Sequence, residues 1–410
     1  MKKNSFLLPL ILALPASWPT ASMAQSDQNA DQIIVKEIYN GGVMLDDGSR
    51  NFHFDKSIVL YNNCPEQAVV SHLAIGMAAP YNAESNATDH LYNGGQLVYE
   101  TDGFIPAENG IWYFPGQLVI EPFQQVVVCV HGAIDNTRTV SNSVNYAFPD
   151  YYCMYDPAYA GGSDNEGTLH YNNTSYYPAP SDAIPTSHYL KAVKYGMANA
   201  WPLSVTSPAV FIFQAQQTNL VDYAESADNL WYVPGYPQNY TWACLKVPCH
   251  WILDAVEVFN ANKKDDCKKR LTADIDGGYV LLTNQQGHSL YRNVDKEMTE
   301  ARPENAGRLV YGYALGADGS TDPSGIDAEA SMKHGAHIVF QDTNNSAYDF
   351  HERQRCSLRD RQTTGISDAT TAKGQHTRLY TADGRATDPG QTRHGVYIVH
   401  TDRRAYKVVR

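Results

Sequence analysis

The sequence predicts a mainly β fold, a β-sandwich with long loop insertions. Short runs rich in Val, Ile, Tyr and Phe recur along the chain. Clusters of Gly, Asn, Asp and Pro separate these runs, and no stretch has the apolar spacing of a convincing amphipathic helix. Many short strands with turn residues between them are typical of two packed β-sheets.

Nine runs are expected to form strands, because their β-branched and aromatic residues suit a pleated, half-buried surface. Turn clusters such as Asn40-Gly41-Gly42 and Asn93-Gly94-Gly95 lie between them. The stretch from His188 to Trp201 has some helical propensity, but Gly196 and Pro202 weaken it, so we expect strand or loop there. In chain order, the expected strands are Ile33–Tyr39, Ser57–Tyr61, Val69–Ile75, Gln117–Ile120, Gln125–His131, Ala209–Ala215, Trp251–Phe259, Leu309–Tyr313 and His337–Gln341.

The N-terminus has the organisation of a secretory signal peptide. Two lysines precede an apolar run from Phe6 to Leu14, and Ser22-Met23-Ala24 offers the small residues of a cleavage site. We predict a signal peptide over residues 1–24, with cleavage before Gln25. The apolar run is much shorter than the roughly 20 residues that a membrane-spanning helix needs, and no later segment approaches that length. The expected product is secreted and does not span the membrane.

The charge distribution separates an acidic body from a basic C-terminal region. The formal net charge is −13. From Arg353 onward the chain carries 12 basic and 5 acidic residues, which leaves the mature body up to Glu352 near −22. Such a field disfavours binding to nucleic acid or to an anionic lipid surface. A solvated acidic surface is the simplest explanation of the excess.

Seven cysteines in an exported chain suggest disulfide bonds, and the odd number leaves at least one thiol unpaired or bridging two chains. Cys129 is the expected unpaired thiol, because it lies in an apolar run where cysteine behaves as a small hydrophobic residue. Cys244, Cys249 and Cys267 are candidates for one bridge. The alternative is a zinc site that also uses His250, although this spacing fits no standard zinc finger.

Catalytic motifs are missing from the sequence. It contains no G-x-S-x-G elbow, Gly-rich phosphate loop, H-E-x-x-H or nucleotide fingerprint. His334 and His337 come nearest to a metal-binding pair, but they straddle Gly335 at the start of an apolar run. Asp265-Asp266 lies among lysines, as in an exposed charged turn. We therefore predict no cofactor and no metal, and we favour a protein without catalytic activity over an enzyme.

A Trp-Tyr element occurs twice, at Asn109–Gly116 and Asp228–Gly235. One interpretation is a pair of aromatic docking sites. We favour the other, in which each Trp-Tyr packs in the sandwich and the Pro-Gly that follows forms a type II turn, with Pro fixing φ and Gly supplying a positive φ.

The segment from Val144 to Pro180 is the best candidate for a recognition surface. Its tyrosines lie among Asn, Ser, Gly, Asp and Pro, a mixture that antibody loops also use, because tyrosine gives wide amphipathic contact at low entropic cost. Binding residues often lie on such loops above a rigid scaffold. The alternative is an Ω-like loop whose tyrosines pack on each other and on the sheet. The candidate binding residues are Tyr146, Phe148, Tyr151, Tyr152, Tyr155, Tyr159, Tyr171, Tyr176 and Tyr177.

A series of landmarks is more specific than any single motif. In chain order they are EIYNGG (Glu37–Gly42), IVLYNN (Ile58–Asn63), WYFPG (Trp112–Gly116), VVVCVHGAID (Val126–Asp135), LKVPCHWILDAVEVF (Leu245–Phe259) and QDTNNSAYDF (Gln341–Phe350). This series resembles a secreted family catalogued as domain of unknown function 4876, over roughly Ile33 to Phe350. Its first half also resembles the lamin-tail module, an immunoglobulin-like β-sandwich. The resemblance implies a fold and a location, but no established chemistry.

The C-terminal region resembles the sorting domain of type IX secretion cargo of the Bacteroidota. A strand-like Leu379-Tyr380, a turn at Asp383-Gly384-Arg385, a strand at Gly395–Val399 and a basic end carry this resemblance. It implies the type IX secretion machinery as a partner and the cell surface or outer-membrane exterior as the location. An earlier strand motif of full-length sorting domains is missing, so the residues that precede the tail are expected to be a linker.

These observations predict a signal peptide (1–24), a β-sandwich domain (25–357), a linker (358–375) and a small β sorting domain (376–410). Three functions follow, in order of preference. The first is a non-enzymatic binding protein that recognises a surface ligand, or partners an outer-membrane receptor, through the Tyr-rich loop. The second is a secreted hydrolase acting on glycan or peptide, which requires a deep pocket with a convergent acid and base. The third is a structural or adhesive module of the cell coat.

Overall fold

The computed structural model describes residues 27–158, 178–195, 203–235, 238, 243–312 and 320–360, together with four strands between Arg378 and Val409. The predicted signal peptide lies outside these residues. The described helices are short, and none has the length and apolarity that a membrane span requires.

The described elements are mostly short strands. They are β1 (Ile33–Tyr39), β2 (Val43–Met44), β3 (Asn51–Phe52), β4 (Ser57–Asn62), β5 (Ala68–Ser71), β6 (Ala74–Met77), β7 (Tyr92–Asn93), β8 (Gln96–Leu97), β9 (Phe104–Glu108), β10 (Gly110–Tyr113), β11 (Gln117–Ile120), β12 (Gln125–Cys129), β13 (Tyr152–Cys153), β14 (Lys191–Lys194), β15 (Ala209–Phe213), β16 (Leu230–Tyr232), β17 (Ala243–Pro248), β18 (Ile252–Asn260), β19 (Val280–Leu282), β20 (Ser289–Arg292), β21 (Phe350–Arg353), β22 (Arg378–Thr381), β23 (Ala386–Thr387), β24 (Val396–His400) and β25 (Ala405–Val409).

Five short α-helices interrupt the strands: α1 (Ser85–Thr88), α2 (Leu220–Glu225), α3 (Lys296–Glu300), α4 (Ala328–Lys333) and α5 (Ser346–Asp349). Side chains of Asn219, Asp295, Asp327 and Asn345 cap the last four by accepting backbone N–H bonds. Single helical turns lie at Ala30–Gln32, Asp89–Leu91, Asn136–Arg138, Thr186–His188, Ala227–Asn229, Cys249–Trp251, Ala261–Asp266, Pro303–Asn305 and Ser357–Asp360.

The mainly β prediction is confirmed by two six-stranded sheets that pack face to face. Sheet 1 has the order β13-β12-β4-β1-β20-β21, and sheet 2 has the order β14-β10-β6-β15-β18-β19. One apolar cluster fills the space between them, with Ile33, Val35 and Ile38 from β1 meeting Val256 and Val258 from β18. Burying each such side chain contributes about 1.5–3 kcal/mol, so this interface is the main core.

Further apolar layers cover the outer faces of both sheets. A three-stranded sheet, β16-β17-β9, packs on sheet 2 through a second cluster that includes Phe211 and Leu245. Two clusters cover sheet 1, one beneath the 133–153 region and one beneath the 294–340 region. Strands β22 to β25 form a separate four-stranded antiparallel sheet, as the predicted β tail requires.

Strand β1 contains a bulge. Its pairing with β4 shifts by one residue between Val35 and Glu37, so Lys36 is an extra residue in the ladder. Both charged side chains of the bulge lie on the outer face of sheet 1. Lys36 Nζ donates to Glu329 Oε1 at 2.6 Å, and Glu37 Oε1 accepts from Ser289 Oγ at 2.6 Å.

Most expected strands form, and two are wrong. The 309–313 run has only an isolated bridge, Tyr311 to Ile326, over its described residues, and the 337–341 run has only the bridge Val294 to Phe340. Ile338, Val339 and Phe340 instead lie in the cluster beneath the 294–340 region, and Leu309 packs against it. The 69–75 run divides into β5 and β6, because the chain turns at His72, whose φ is 51°.

The Trp-Tyr elements both lie on strands, in agreement with the packing interpretation. Trp112 is buried in the main core, and Trp231 makes an edge contact with Tyr99. Gly235 has the positive φ of a type II turn, at 82°, whereas Gly116 does not have a positive φ. The expected turn type is therefore correct only for the second element.

All seven cysteines are free thiols in this structure. The expected bridge among Cys244, Cys249 and Cys267 is not formed. Cys244 lies in β17, Cys249 begins the helical turn after it, and Cys267 follows the turn Ala261–Asp266. Cys129 is buried in an apolar cluster, as predicted, but its being free does not distinguish it from the others.

The sandwich continues past the predicted boundary at residue 357. Leu358 is buried in the same apolar cluster as Cys129, and Arg359 Nη2 donates to the Tyr39 hydroxyl at 3.3 Å. The first residues of the predicted linker are therefore part of the body, and the rest, from 361, lies outside the described residues.

Candidate functional site

Three of the predicted binding residues are core residues. Tyr146, Phe148 and Tyr151 are 1%, 7% and 1% exposed, and their rings pack on the outer face of sheet 1 beside Val127 and Cys129. A ligand cannot reach these rings. For them, the recognition-surface prediction is wrong and the packing alternative is correct.

Two further predicted residues are half-buried and already have aromatic partners. Tyr152 stacks on His188, with ring centroids 4.1 Å apart, and Tyr155 makes an edge contact with Tyr189 at 5.5 Å. The remaining four candidates, Tyr159, Tyr171, Tyr176 and Tyr177, lie outside the described residues.

A different region provides an open groove of about 780 Å³, in the size range of small-ligand sites. It lies between an edge strand of each large sheet, because β19 ends sheet 2 and β21 ends sheet 1. Gly277–Leu281 supplies one wall and Phe350–Glu352 another, and Tyr348, Thr321 and Pro323 complete much of the lining.

Two tyrosines present their rings at this groove. Tyr279 lies nearly parallel to Phe259, with centroids 4.0 Å apart and an interplanar angle of 14°. One face of Tyr279 is therefore supported by the protein, while the side chain remains 38% exposed. Tyr348, on α5, is 69% exposed. Large aromatic residues this exposed are uncommon in the rest of the described chain, which makes the pair notable.

A glycine brings the two tyrosine-bearing segments together. A Cβ atom at Gly278 would lie 2.0 Å from the Asn345 side-chain oxygen and 2.9 Å from the Ala347 Cβ. Asn345 caps α5, so only glycine allows the loop before β19 to approach this helix so closely. Asp276 holds the same junction by accepting from Ser346 N and Oγ at 2.8 and 2.6 Å.

The wall behind the groove is buried and tied to the core. The Arg292 guanidinium lies 4.6 Å from the centre of the Phe350 ring and pairs with the buried carboxylate of Asp254. Burial raises the Asp254 pKa to about 6, and Arg292 opposes this rise. Arg292 also donates from Nε to the Val35 carbonyl at 2.8 Å, which links the wall to the central strand β1.

A hydrogen-bonded chain of polar side chains runs along the groove. Ser320 Oγ lies 2.7 Å from His351 Nε2, and His351 Nδ1 lies 2.7 Å from Asn293 Oδ1. Asn293 Nδ2 donates to the Tyr348 carbonyl at 2.6 Å, so its amide oxygen faces His351. Nδ1 of His351 therefore carries the proton, and Nε2 accepts from the Ser320 hydroxyl.

These three hydrogen-bonded side chains have the order of a serine–histidine–asparagine array, with an amide where hydrolases usually place a carboxylate. Burial, helped by the nearby Arg353 charge, lowers the His351 pKa to about 3. The imidazole is thus neutral at physiological pH, but it is a weak base. Among the described residues its Nδ1 faces an amide and not a carboxylate that would stabilise the imidazolium of acyl transfer. The three side chains are therefore better suited to form a fixed polar floor of the groove than to act in general-base catalysis.

The two charged groups at the groove have opposite formal charges, and each has a hydrogen-bond partner within the protein. Lys269 Nζ donates to the Gly278 carbonyl oxygen. The Glu352 carboxylate accepts from Thr283 N at 2.6 Å and faces His288 Nδ1 at 2.8 Å. The groove lining therefore has no excess of either formal charge.

The candidate metal ligands do not assemble. His337 stacks on Phe123, with centroids 4.8 Å apart, and its Nδ1 faces Glu304 at 3.3 Å. His334 ends α4 on the other side of Gly335. In the part of the chain that the structure describes, no three His, Cys, Asp or Glu side chains form a metal-binding group.

Sequence reasoning missed both groove tyrosines. Each lies in a turn-rich segment, Asp276-Gly277-Gly278-Tyr279 or Asn344–Tyr348, where a single tyrosine gives no compositional signal. The two positions are 69 residues apart in the chain. The glycine pair before Tyr279 is the one available clue, since it indicates a close backbone approach.

Comparisons with known proteins support the family resemblance in part. Residues 121–312 match the family model described as Protein of unknown function (DUF4876). A DUF4876 family protein from Bacteroides thetaiotaomicron VPI-5482 has a similar crystal structure, with a TM-score of 0.53 and 19% sequence identity over 82% of this chain and 74% of that chain. At this identity the likeness concerns the fold alone. No curated protein matches the chain, and the lamin-tail and sorting-domain resemblances stay predictions.

Proposed function

We propose that this chain is a non-enzymatic binding protein that takes its ligand in the groove between β19 and β21. The carrying observation is the pair of exposed tyrosines at one groove, one of them held flat against Phe259. A supported aromatic ring loses little conformational entropy when a ligand covers it, so it makes a favourable contact.

The proposal includes export to the cell surface. The N-terminal charge and apolar pattern supports passage through a secretory route, and the C-terminal resemblance supports the type IX secretion machinery as a partner. An antiparallel sheet of four strands, β22 to β25, is the kind of compact β unit that a sorting tail requires. The proposal also includes a second partner, an outer-membrane receptor that takes over the bound ligand.

The groove replaces the first part of the Tyr-rich loop as the proposed contact surface. Tyr146, Phe148 and Tyr151 are excluded by burial. Tyr159, Tyr171, Tyr176 and Tyr177 remain a second candidate contact, to be tested together as one quadruple alanine variant.

Affinity capture tests the proposal. The full chain is immobilised, incubated with material released from the surface of its own cells, and compared with the double variant Tyr279→Ala/Tyr348→Ala. We expect a specific glycan or outer-membrane component to be retained by the wild type and lost from the variant. Identical retention by both proteins, with both folded by circular dichroism, would exclude the groove as the binding site.

A secreted hydrolase is the second candidate function, and the Ser320–His351–Asn293 array is the observation that favours it. In that case the Ser320 hydroxyl would lose its proton to His351 Nε2 and attack an acyl carbon. The imidazolium would then give that proton to the leaving alcohol or amine as its bond to the acyl carbon breaks. A fluorophosphonate probe would then label the wild type and not Ser320→Ala. We expect no labelling of either protein, because the low His351 pKa leaves the serine poorly activated.

A further inference from the structure

We propose that the ligand of the groove is a neutral carbohydrate, an inference that rests on the binding function proposed above. Three properties of the groove support this ligand class. They are the presentation of the tyrosine rings, the supply of uncharged hydrogen-bonding groups and the balance of charge.

The presentation of the rings favours a flat, weakly apolar partner. Because Phe259 covers one face of Tyr279, a ligand in the groove meets the opposite face. The axial C–H groups of a pyranose ring form a patch of similar size, and they carry a small positive charge that the π face attracts. Tyr348 lies at the same groove and offers a second ring, so an oligosaccharide can contact both.

Uncharged donors and acceptors surround the rings. Among the described residues, neither the Tyr279 nor the Tyr348 hydroxyl has a hydrogen-bond partner, so both are available to a ligand rich in hydroxyl groups. The Thr321 side chain lies in the lining as well. Both walls are edge strands, which leave peptide groups on one side outside the sheet ladder. Hydroxyl groups donate and accept, so they can satisfy either kind of peptide group.

The charge balance disfavours an anionic or cationic sugar. Lys269 and Glu352 lie at the same groove with opposite formal charges, so the lining has no excess charge that would select an ionic ligand. The acidic body, near −22, repels uronic acids and sulfated glycans.

An extended peptide added to an exposed edge is the competing ligand. The two edges are short, with three residues in β19 and four in β21, and they belong to different sheets. Each therefore offers little ladder to an added strand. An added strand binds mainly through backbone hydrogen bonds, so it would not use the exposed ring face of Tyr279 as a sugar ring would.

Affinity electrophoresis of the full chain tests the ligand class. Native gels contain xyloglucan, galactomannan, mixed-linkage β-glucan or starch as neutral probes, or polygalacturonate as an anionic probe. We expect at least one neutral polysaccharide to retard the wild type. Tyr279→Ala and Tyr348→Ala should each weaken binding by about tenfold, a difference of about 1.4 kcal/mol. Tyr279→Phe keeps the ring and should bind within a factor of about three. Tyr311→Ala is the matched control, because Tyr311 is 57% exposed but lies outside this groove.

The outcomes separate the ligand class from the binding function. If no neutral polysaccharide changes the mobility of the wild type, or if only polygalacturonate retards it, the proposal of a neutral carbohydrate ligand is overturned. Retardation that is equal in Tyr279→Ala, Tyr348→Ala and the wild type overturns the groove as its site. If the gels fail while the capture experiment still retains a protein or peptide in a groove-dependent way, binding stands and the carbohydrate does not. If both fail, both proposals fall.

Discussion

Tyr146 and Tyr151 lie almost fully buried beneath sheet 1, whereas Tyr279 and Tyr348 stand exposed at the groove between the two sheets. The first pair belongs to a segment so rich in tyrosine that it resembles a recognition loop, and the second pair is isolated in sequence. The difference shows that tyrosine content does not determine accessibility. What decides is whether a sheet face next to the ring needs covering.

The cause lies in the sheets. The outer face of sheet 1 carries Val59 and Val127 beside Tyr39, and the tyrosines of the 144–151 region exclude water from them. The groove lies at the sheet edges, where Tyr279 and Tyr348 remain exposed. Tyr279 stacks one face on the buried ring of Phe259 and is still 38% exposed.

The largest expected effect is on stability, from the buried pair. Tyr146→Ala removes a ring that is 1% exposed, and it should lower the free energy of unfolding by about 3–5 kcal/mol, as aromatic-to-alanine changes in cores do. Urea denaturation followed by tryptophan fluorescence measures this. A loss below about 1 kcal/mol would mean that the segment does not serve as a lid on sheet 1.

The second expected effect is a pH dependence of stability that comes from Asp55, the hydrogen-bond partner of the buried Tyr39. Burial raises the pKa of Asp55, which accepts from the Tyr39 hydroxyl at 2.6 Å, from 3.8 to about 6. Its charged form is thus disfavoured in the folded state, so Asp55 destabilises the protein above pH 6, and this penalty fades as the pH falls from about 6 to 4. Relative to Asp55→Asn, the wild type should gain up to about 3 kcal/mol over that range.

The measurement is the difference in unfolding free energy between wild type and Asp55→Asn at pH 4, 5, 6 and 7 in one buffer series. Other titrating groups cancel in the difference. A constant difference, or one that grows with pH in favour of the wild type, would contradict the assigned direction.

The supported groove tyrosine should have a smaller effect on stability. Tyr279→Ala removes a stacked ring pair, which is worth about 0.5–1.5 kcal/mol. Tyr279→Phe should be neutral, since the hydroxyl has no partner among the described residues. Thermal unfolding of the three proteins tests this ranking, and an alanine effect as large as that of Tyr146→Ala would place Tyr279 in the core.

The smallest stability effect is expected at Tyr348, which is 69% exposed. Tyr348→Ala should change the unfolding free energy by no more than about 0.5 kcal/mol. The same variant should lose ligand retention in the capture experiment. A variant that loses both stability and ligand retention would show that the ring supports α5 and does not serve binding.

Strands were predicted well from the sequence where the residues of the strand itself are sufficient to indicate it. The runs at Ile33–Tyr39 and Gln117–Ile120 form strands with the expected bounds. The 309–313 and 337–341 runs are as apolar as these strands, yet their described residues form only isolated bridges, and Leu309 and Ile338–Phe340 pack in the cluster with α4 and sheet 1. Apolar content is local, but a strand also needs a partner, and partners are a property of the whole fold.

The candidate site was less predictable for the same reason. Its walls come from residues 269–293 and 321–352, and a glycine contact at Gly278 brings the two tyrosine-bearing segments together. Nothing in either segment alone indicates a groove. The Tyr-rich segment gave a strong signal, but its side chains met a sheet face that the sequence does not show.

The bulge in β1 has a consequence for solvation. Strict alternation through Lys-Glu would point one of two adjacent charges between the sheets, where an unpaired ion costs several kcal/mol. With one extra residue in the ladder, Lys36 and Glu37 leave the strand on the same side and each finds a partner there. A single irregular backbone pairing thus keeps both of these charges out of the space between the sheets and lets a charged dipeptide occupy the centre of an apolar strand.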